Sequence, residues 1–160
     1  MERLALLAPV PEEHLQDGLN VCATRGKVAF GSGKFDLFNK IDTSGLDQDL
    51  PVLIYPSASQ NPESLKYKVS WIGTYAGFVN SRMGRHPDGM KFRPPSTKKY
   101  PLDNSGHWAI FWHVKDLKTL QVNQQRFISD FGKVKGGWRK NAPPRGPELV
   151  SLPSDWLEED

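Results

Sequence analysis

The alternation of apolar and polar residues is clearest between residues 51 and 79. Residues 52–55 are a short run of β-forming side chains that ends at a proline, and the Ser, Asn and Pro residues of 57–64 supply a turn. A period of two follows, which puts Trp71 and Tyr75 on one face of a second, longer strand. This stretch therefore predicts two strands joined by a polar turn, with an aromatic face on the second strand.

Shorter patterns predict the remaining elements. Apolar or β-branched runs bounded by turn residues predict strands at residues 4–10, 21–31, 108–114 and 148–152. Leucines one turn apart predict a helix of about two turns that starts near Pro11 and ends at Gly18. The same spacing predicts a helical turn at residues 114–120 and a further helix at 123–131.

Residues 80–102 are predicted to form the long loop of the protein. Their Gly and Pro residues exclude a regular helix and disfavour a central strand. A stretch of about 20 residues without regular structure is uncommon inside a compact domain, and it is usually functional or disordered. The basic and aromatic content of this loop favours a function.

The composition is that of one globular domain spanning residues 1–160, with an acidic tail at residues 146–160. Hydrophobic residues make up 38% of the chain and charged residues 24%, and the many Pro and Gly residues favour loops and strands over long helices. The fold class predicted is α+β. No apolar run is long enough to cross a membrane, and the lone Cys22 favours a reducing compartment, so a cytoplasmic location is expected.

The positive charge is unevenly distributed, although the net charge is only +3. Residues 81–100 contain six cationic side chains against one acidic one, and residues 132–145 contain five with no acid. Basic side chains interleaved with aromatic ones are typical of proteins that bind polyanions. The alternative is that these segments are solvated loops with no such partner.

A short motif and the order of the elements resemble a known group of domains. Gly18 and Arg25 fit the Gly-x-Lys-x-x-Glu-x-Arg signature of ASCH domains, but Asn20 stands in place of the lysine and Ala23 in place of the acid. The order of a strand, a helix, the PVLIYPS strand, a long strand and a WAIFWHVKDL segment extends this likeness over residues 4–120. The chain thus resembles the PUA-like superfamily, which includes the ASCH, EVE and YTH domains.

The resemblance implies a fold and a class of ligand. It implies a mixed, mostly antiparallel β-barrel with two or three short helices, which binds RNA or DNA. In the EVE and YTH branches it implies a pocket for a modified or flipped base. Such a base is read by aromatic stacking and by hydrogen bonds to its edge, while cationic side chains bind the neighbouring phosphates. The sequence therefore predicts a nucleic-acid binding module that reads a modified or displaced base.

Four residues are candidates for the base pocket. Trp71 and Tyr75 are predicted to form the stacking wall, with a buried core strand as the alternative. Ser57 lies at a strand end, where its hydroxyl can meet a base edge. Trp138 follows two glycines and stands among basic residues, so it is either exposed for stacking or an anchor of a small cluster. Trp108 and Trp112 are predicted to be core residues, with room for one of them in the pocket.

A larger group of cations is predicted to bind the phosphate backbone. These contacts give salt-dependent affinity but carry little sequence information. Arg25 has an alternative role, which is to brace a carboxylate inside the fold. The residues are Arg25, Lys27, Arg82, Arg85, Lys91, Arg93, Lys98, Lys99 and Arg139.

Two other function classes stay open. The ASCH resemblance implies an amide hydrolase acting on a modified nucleoside, but Asn20 and Ala23 replace the side chains on which that chemistry depends. The second alternative is a protein-interaction domain that binds an acidic partner. No catalytic residue, cofactor or metal is predicted, because the histidines are irregularly spaced and Cys22 has no histidine beside it in sequence.

Overall fold

The structure is a computed structural model that describes residues 3–57, 68–133 and 146–156. Two α-helices and nine strands are described: β1 (Leu4–Val10), α1 (Glu12–Arg25), β2 (Val28–Ser32), α2 (Phe35–Thr43), β3 (Pro51–Pro56), β4 (Lys68–Val69), β5 (Trp71–Asn80), β6 (Ile110–Thr119), β7 (Arg126–Phe127), β8 (Gly132–Lys133) and β9 (Glu148–Ser151). The strands predicted at residues 4–10, 52–55 and 148–152 are confirmed.

Seven of the strands form one curled sheet in the order β2-β6-β5-β3-β1-β9-β8. The pairing of β1 with β3 is parallel and the other pairings in this sheet are antiparallel. The short strands β4 and β7 pair separately. The predicted α+β class and the mixed sheet are confirmed. The sheet is an open half-barrel whose edge strands are β2 and β8, so it is not a closed barrel.

Both faces of the sheet are buried, because alternate residues of each central strand enter different clusters. In β1, Leu6 belongs to the cluster that packs against α1 and α2, whereas Leu7 belongs to the cluster on the opposite face. The helices contribute Leu15 and Phe38 to the first cluster. Trp156 packs on Phe131 in the second cluster. The segment predicted to be an acidic tail therefore includes β9 and a core tryptophan.

Helix α1 is longer than the two turns predicted. Gly18, predicted as its end, lies within it, and a Cβ at this position would lie 3.3 Å from Val28 Cγ2. The glycine therefore permits close packing of α1 on the sheet. The helix ends instead at Gly26, whose φ of 88° is the left-handed conformation common at helix ends. Residues 21–25, predicted as part of a strand, belong to this helix.

The two helices predicted after residue 114 are wrong. Residues 114–119 continue β6, and residues 123–131 contain only short 3-10 turns and β7. Leu117 follows Val114 in the same cluster at a spacing of three residues, because the register between β5 and β6 shifts near Asp116, which has a φ of 56°. Leu120 enters the cluster on the opposite face. Such a bulge resets the alternation of a strand, so its apolar residues no longer follow a period of two.

The long loop between β5 and β6 is held against the sheet. Phe92 packs on Ala29 and Phe111 in a third apolar cluster, and the amide of Ala29 donates to the Phe92 carbonyl at 2.7 Å. A 3-10 turn, Pro95–Lys99, packs on α1. This loop therefore forms one side of a cavity.

Among the described residues, neither α1 nor α2 has the length and apolar character needed to cross a lipid bilayer.

Candidate functional site

A cavity of about 490 Å³ lies where the ends of β1, β2 and β3 meet the start of α1 and the long loop. We call it the Trp108 cavity. Its polar and charged lining comes from His14, Ser32, Lys34, Ser57, Arg93, Thr97 and Asp103, and its apolar lining includes Val10, Phe30, Trp108 and Pro147. Small-molecule sites usually occupy 300–1,000 Å³ and combine an apolar lining with a few polar groups. The cavity therefore has the size and composition of a ligand site.

Trp108 forms the aromatic wall. It precedes β6, is half-buried, and its indole ring lies against the backbone of β2. A Cβ at Gly31 would lie 2.3 Å from Trp108 Cδ1, so only glycine leaves room for the ring there. Trp112 is 1% exposed and stacks on Phe38. The prediction that one of these two tryptophans lines a pocket thus fits Trp108.

His14 and Asp103 form a polar pair at the cavity. His14 is 6% exposed, and its Nε2 lies 3.4 Å from Asp103 Oδ2. Its Nδ1 lies 2.7 Å from Ser96 Oγ, which also contacts the Glu13 carbonyl. Burial raises the pKa of the Asp103 carboxyl, but the His14 contact and the charge of Arg93 outweigh it, so the pKa falls below its usual value. Asp103 is therefore an ionised acceptor whose side chain is 20% exposed.

Arg93 organises the loop around Asp103. It is 3% exposed and donates to the carbonyl oxygens of Ala29 and Asp103 at 2.9 and 3.0 Å and to Asn104 Oδ1 at 2.8 Å. Burial lowers the pKa of its guanidinium to about 10, against the opposing charge of Asp103. Arg93 lines the cavity, but it is buried, and each of its three guanidinium nitrogens already donates to the protein. The prediction that it binds the phosphate backbone is therefore replaced by a role in positioning Asp103.

Lys34 is the exposed cation of the cavity. It stands between β2 and α2, and its amide donates to Ser32 Oγ at 3.0 Å. Its Nζ donates to the Pro147 carbonyl at 3.0 Å. Partial burial lowers the pKa of this amine. Lys34 therefore places a positive charge where the end of β2 approaches the segment before β9.

The predicted stacking wall is not at this site. Trp71 is 1% exposed and Tyr75 is 3% exposed, and both belong to the cluster between the sheet and the helices. Trp71 Nε1 donates to Glu12 Oε1 at 3.1 Å, and the Tyr75 hydroxyl donates to Asp42 Oδ1 at 2.9 Å. Burial, followed by the Asp42 bond, raises the pKa of this phenol. Neither ring has a face free to stack on a base, so the two residues brace the helices.

The other predicted base-pocket residues have different outcomes. Ser57 follows β3 and lines the Trp108 cavity. Trp138 and Arg139 lie outside the described residues.

The remaining predicted phosphate contacts are distributed over several elements. Arg25 ends α1, and the Nζ atoms of Lys27 and Lys91 lie 4.9 and 5.2 Å from the centre of the Phe92 ring. Lys98 and Lys99 are exposed on the 3-10 turn, where Lys99 Nζ pairs with Glu13 Oε2 at 3.1 Å. Arg82 and Arg85 are exposed at a tight turn whose neighbours are Ser105 and Gly106. Lys27 and Lys91 thus meet at one ring, and a shared phosphate-binding surface for the whole set stays a prediction.

Sequence reasoning missed His14, Lys34 and Asp103. His14 lies in helix α1 and Asp103 in a turn between β5 and β6, and neither position has a local signal in the sequence. The Gly-Ser-Gly-Lys stretch that ends at Lys34 was the one available indication, because it places a lysine between a strand and a helix. His14 and Asp103 are 89 positions apart in the chain and meet only through the fold.

A second polar pair is buried where the long loop, which contains His86, packs on His113 of β6. His86 and His113 are 4% and 2% exposed, and their Nε2 atoms lie 2.9 Å apart. His113 Nδ1 donates to the Gly77 carbonyl at 3.2 Å, and His86 Nδ1 accepts the amide of Asp88 at 3.0 Å. His86 Nε2 must therefore donate to His113 Nε2, so this arrangement requires both rings to be neutral. Within the described ranges, no three His, Cys, Asp or Glu side chains are grouped as metal ligands.

Comparison of the chain with family models, curated proteins and solved structures found no match.

Proposed function

We propose that the protein is a nucleic-acid binding module whose Trp108 cavity accepts one displaced base, modified or plain, of RNA or DNA. The observation that carries this proposal is the combination of an aromatic wall, an ionised acceptor and an exposed cation around one cavity of about 490 Å³. Trp108, Asp103 and Lys34 supply these three features. The PUA-like resemblance implies a pocket of this kind, and Ser57, predicted for that pocket, also lines this cavity.

Each of the three side chains has a distinct task. Trp108 stacks on the base, which is worth about 1 to 3 kcal/mol. Asp103 accepts a hydrogen bond from an amino group or a ring N–H on the base edge, and His14 and Arg93 hold it in place. Lys34 attracts the phosphate of the nucleotide that enters. Stacking and edge contacts select the base, whereas the charge supplies affinity.

The hydrolase alternative has less support from the same geometry. Ser96, His14 and Asp103 form a chain of contacts that is similar in composition to a nucleophile, base and acid set. Ser96, however, is 7% exposed, is not among the residues that line the cavity, and contacts the Glu13 carbonyl through its hydroxyl. A nucleophile must reach the substrate, so this arrangement favours a structural role for Ser96.

The proposal is tested by binding to a panel of plain and base-modified DNA and RNA oligonucleotides at two salt concentrations. Affinity for every oligonucleotide should fall as the salt concentration rises. An oligonucleotide that contains one particular modified or unpaired base should bind more tightly than the same oligonucleotide with that base plain and paired. Equal binding of every oligonucleotide would contradict the cavity as a base site. An absence of salt-dependent binding to any of them would favour the protein-interaction alternative.

Replacing Lys34 with methionine should weaken oligonucleotide binding about tenfold, because a phosphate contact is lost at the cavity. The slope of log affinity against log salt concentration should fall by about 0.7 to 0.9. Fluorescence anisotropy titrations at several salt concentrations measure both quantities. The matched control is Lys40→Met, which removes the same charge from an exposed position on α2. If the two variants lose affinity equally, Lys34 contributes only general charge.

A further inference from the structure

The tight turn of residues 82–85, which we call the Met83 turn, is a two-residue hairpin connection. The amide of Arg82 donates to the Arg85 carbonyl at 2.8 Å, and the amide of Arg85 donates to the Arg82 carbonyl at 3.0 Å. Between them Met83 and Gly84 have φ angles of 56° and 82°. Two successive positive φ angles are typical of the type I′ turn, in which Asn-Gly is the preferred pair.

Methionine is an unexpected residue at the tip of this turn. A side chain other than glycine pays roughly 1 to 2 kcal/mol in the left-handed conformation, and Asn tolerates it better because it forms local hydrogen bonds. Burial does not compensate for this, since Met83 is 91% exposed. Neither the turn geometry nor the packing of the protein therefore accounts for an apolar side chain here.

The tip is held in place by the chain segment that leads to Trp108. The amide of Gly106 donates to the Met83 carbonyl at 2.8 Å. A Cβ on Gly84 would lie 1.8 Å from the Gly106 nitrogen, so the two backbones are in direct contact. Gly106 is two residues before Trp108, which lines the cavity. The exposed methionine is therefore fixed to the chain segment that carries the cavity wall.

Positive charge flanks the methionine. Arg82 and Arg85 are directly opposite each other in a hydrogen-bonded pair, which puts their side chains on the same face. Like charges at such positions repel each other. Both side chains are exposed, and neither forms an ion pair with another described residue. An anionic partner on this face would relieve the repulsion.

We propose that Met83 is a wedge that enters the base stack of a duplex at the place vacated by the displaced base, while Arg82 and Arg85 bind the flanking phosphates. This inference rests on the proposed base-binding function of the Trp108 cavity. Apolar side chains inserted between bases, with cationic residues beside them, are a known way to stabilise unstacked duplex DNA. A single strand has no base pair that must be held open after a base is displaced, so the wedge acts on duplexes only.

The test compares Met83→Asn with the wild-type protein on a duplex and on the corresponding single strand. Asn-Gly suits the turn, so this variant should be as stable as the wild type in urea denaturation. Its duplex affinity should fall about tenfold, and its single-strand affinity should stay within about twofold of the wild type. The fluorescence of a 2-aminopurine at the target position of the duplex should report less unstacking with Met83→Asn than with the wild-type protein. Met83→Leu should restore most of the duplex affinity.

The control variant is Val122→Asn, which makes the same kind of change at an 80% exposed residue of another loop. It should leave both affinities unchanged. Equal affinity of Met83→Asn and the wild type for the duplex would overturn the wedge, as would an equal loss on both ligands. Binding of single strands but not duplexes by the wild type would overturn the wedge and leave the cavity function intact. Failure to bind either ligand would overturn both proposals.

Discussion

The Trp71→Ala protein should lose about 3 to 5 kcal/mol of unfolding free energy, the usual cost of truncating a fully buried tryptophan. Trp71 lies in the main cluster between the sheet and the helices, and its Nε1 donates to Glu12 at the start of α1. The substitution removes the packing of a large ring and leaves a cavity. It also leaves the Glu12 carboxylate without this donor. Urea denaturation followed by tryptophan fluorescence or circular dichroism measures the loss.

Trp108→Ala is the matched comparison, because it removes the same side chain from the cavity wall. Trp108 is only half-buried, so the loss of stability should be smaller than for Trp71→Ala, while oligonucleotide affinity should fall by about 1 to 3 kcal/mol. The two tryptophans thus separate stability from binding. A stable Trp71→Ala protein that loses binding, together with a Trp108→Ala protein that keeps it, would restore the sequence-based placement of the pocket.

Acidification from pH 7.5 to pH 5 should cost the protein about 2 kcal/mol of stability through His113 alone. Burial, together with the charges of Lys27 and His86, lowers the pKa of His113 to about 4. The unfolded chain has a histidine pKa near 6.5, so it binds a proton that the folded protein excludes. The stability that neutral His113 contributes is therefore fully present above pH 6.5, and it is lost progressively as the pH falls from 6.5 towards 4.

The geometry of the pair His86 and His113 also predicts that the folded protein becomes less stable when the pH falls. A proton on His113 Nε2 would face the hydrogen that His86 donates, so the bond between the rings would be lost. Burial also lowers the pKa of His86, which adds to the effect.

Urea denaturation at pH 7.5, 6.5, 5.5 and 5 measures this dependence on pH. His113→Gln should flatten the curve, whatever its effect on stability at pH 7.5. The exposed His107→Gln is the control and should leave the curve unchanged. An unchanged slope in the His113→Gln protein would show that other groups cause the acid sensitivity.

The strands were more predictable than the helices, and the reason is local. β1 and β3 are short apolar runs with proline boundaries, so sequence alone marks both their type and their ends. The predicted end of α1 at Gly18 was wrong, because the sequence does not distinguish a glycine that ends a helix from one that permits close packing. Asp116 misled the prediction of β6, because a bulge changes the spacing of its apolar residues.

The sequence predicted a pocket with an aromatic wall, but it placed that wall on the wrong residues. The two-residue alternation that contains Trp71 and Tyr75 is real, but it does not reveal whether the shared face meets solvent or helices. Helices α1 and α2 cover that face. Ser57 and Arg93 were named as site residues and do line the cavity, whereas His14 and Asp103 had no signal.

The sequence by itself determined the α+β class, the positions of the apolar strands and the concentration of cations and aromatic residues in the long loop. These properties depend on neighbouring residues, and periodicity and composition record them directly. Only the tertiary structure decided that Trp71 is core and Trp108 is cavity wall, and that His14, Lys34 and Asp103 share one site. Which side of a strand is covered, and which distant residues meet, depends on contacts between elements that are far apart in the chain.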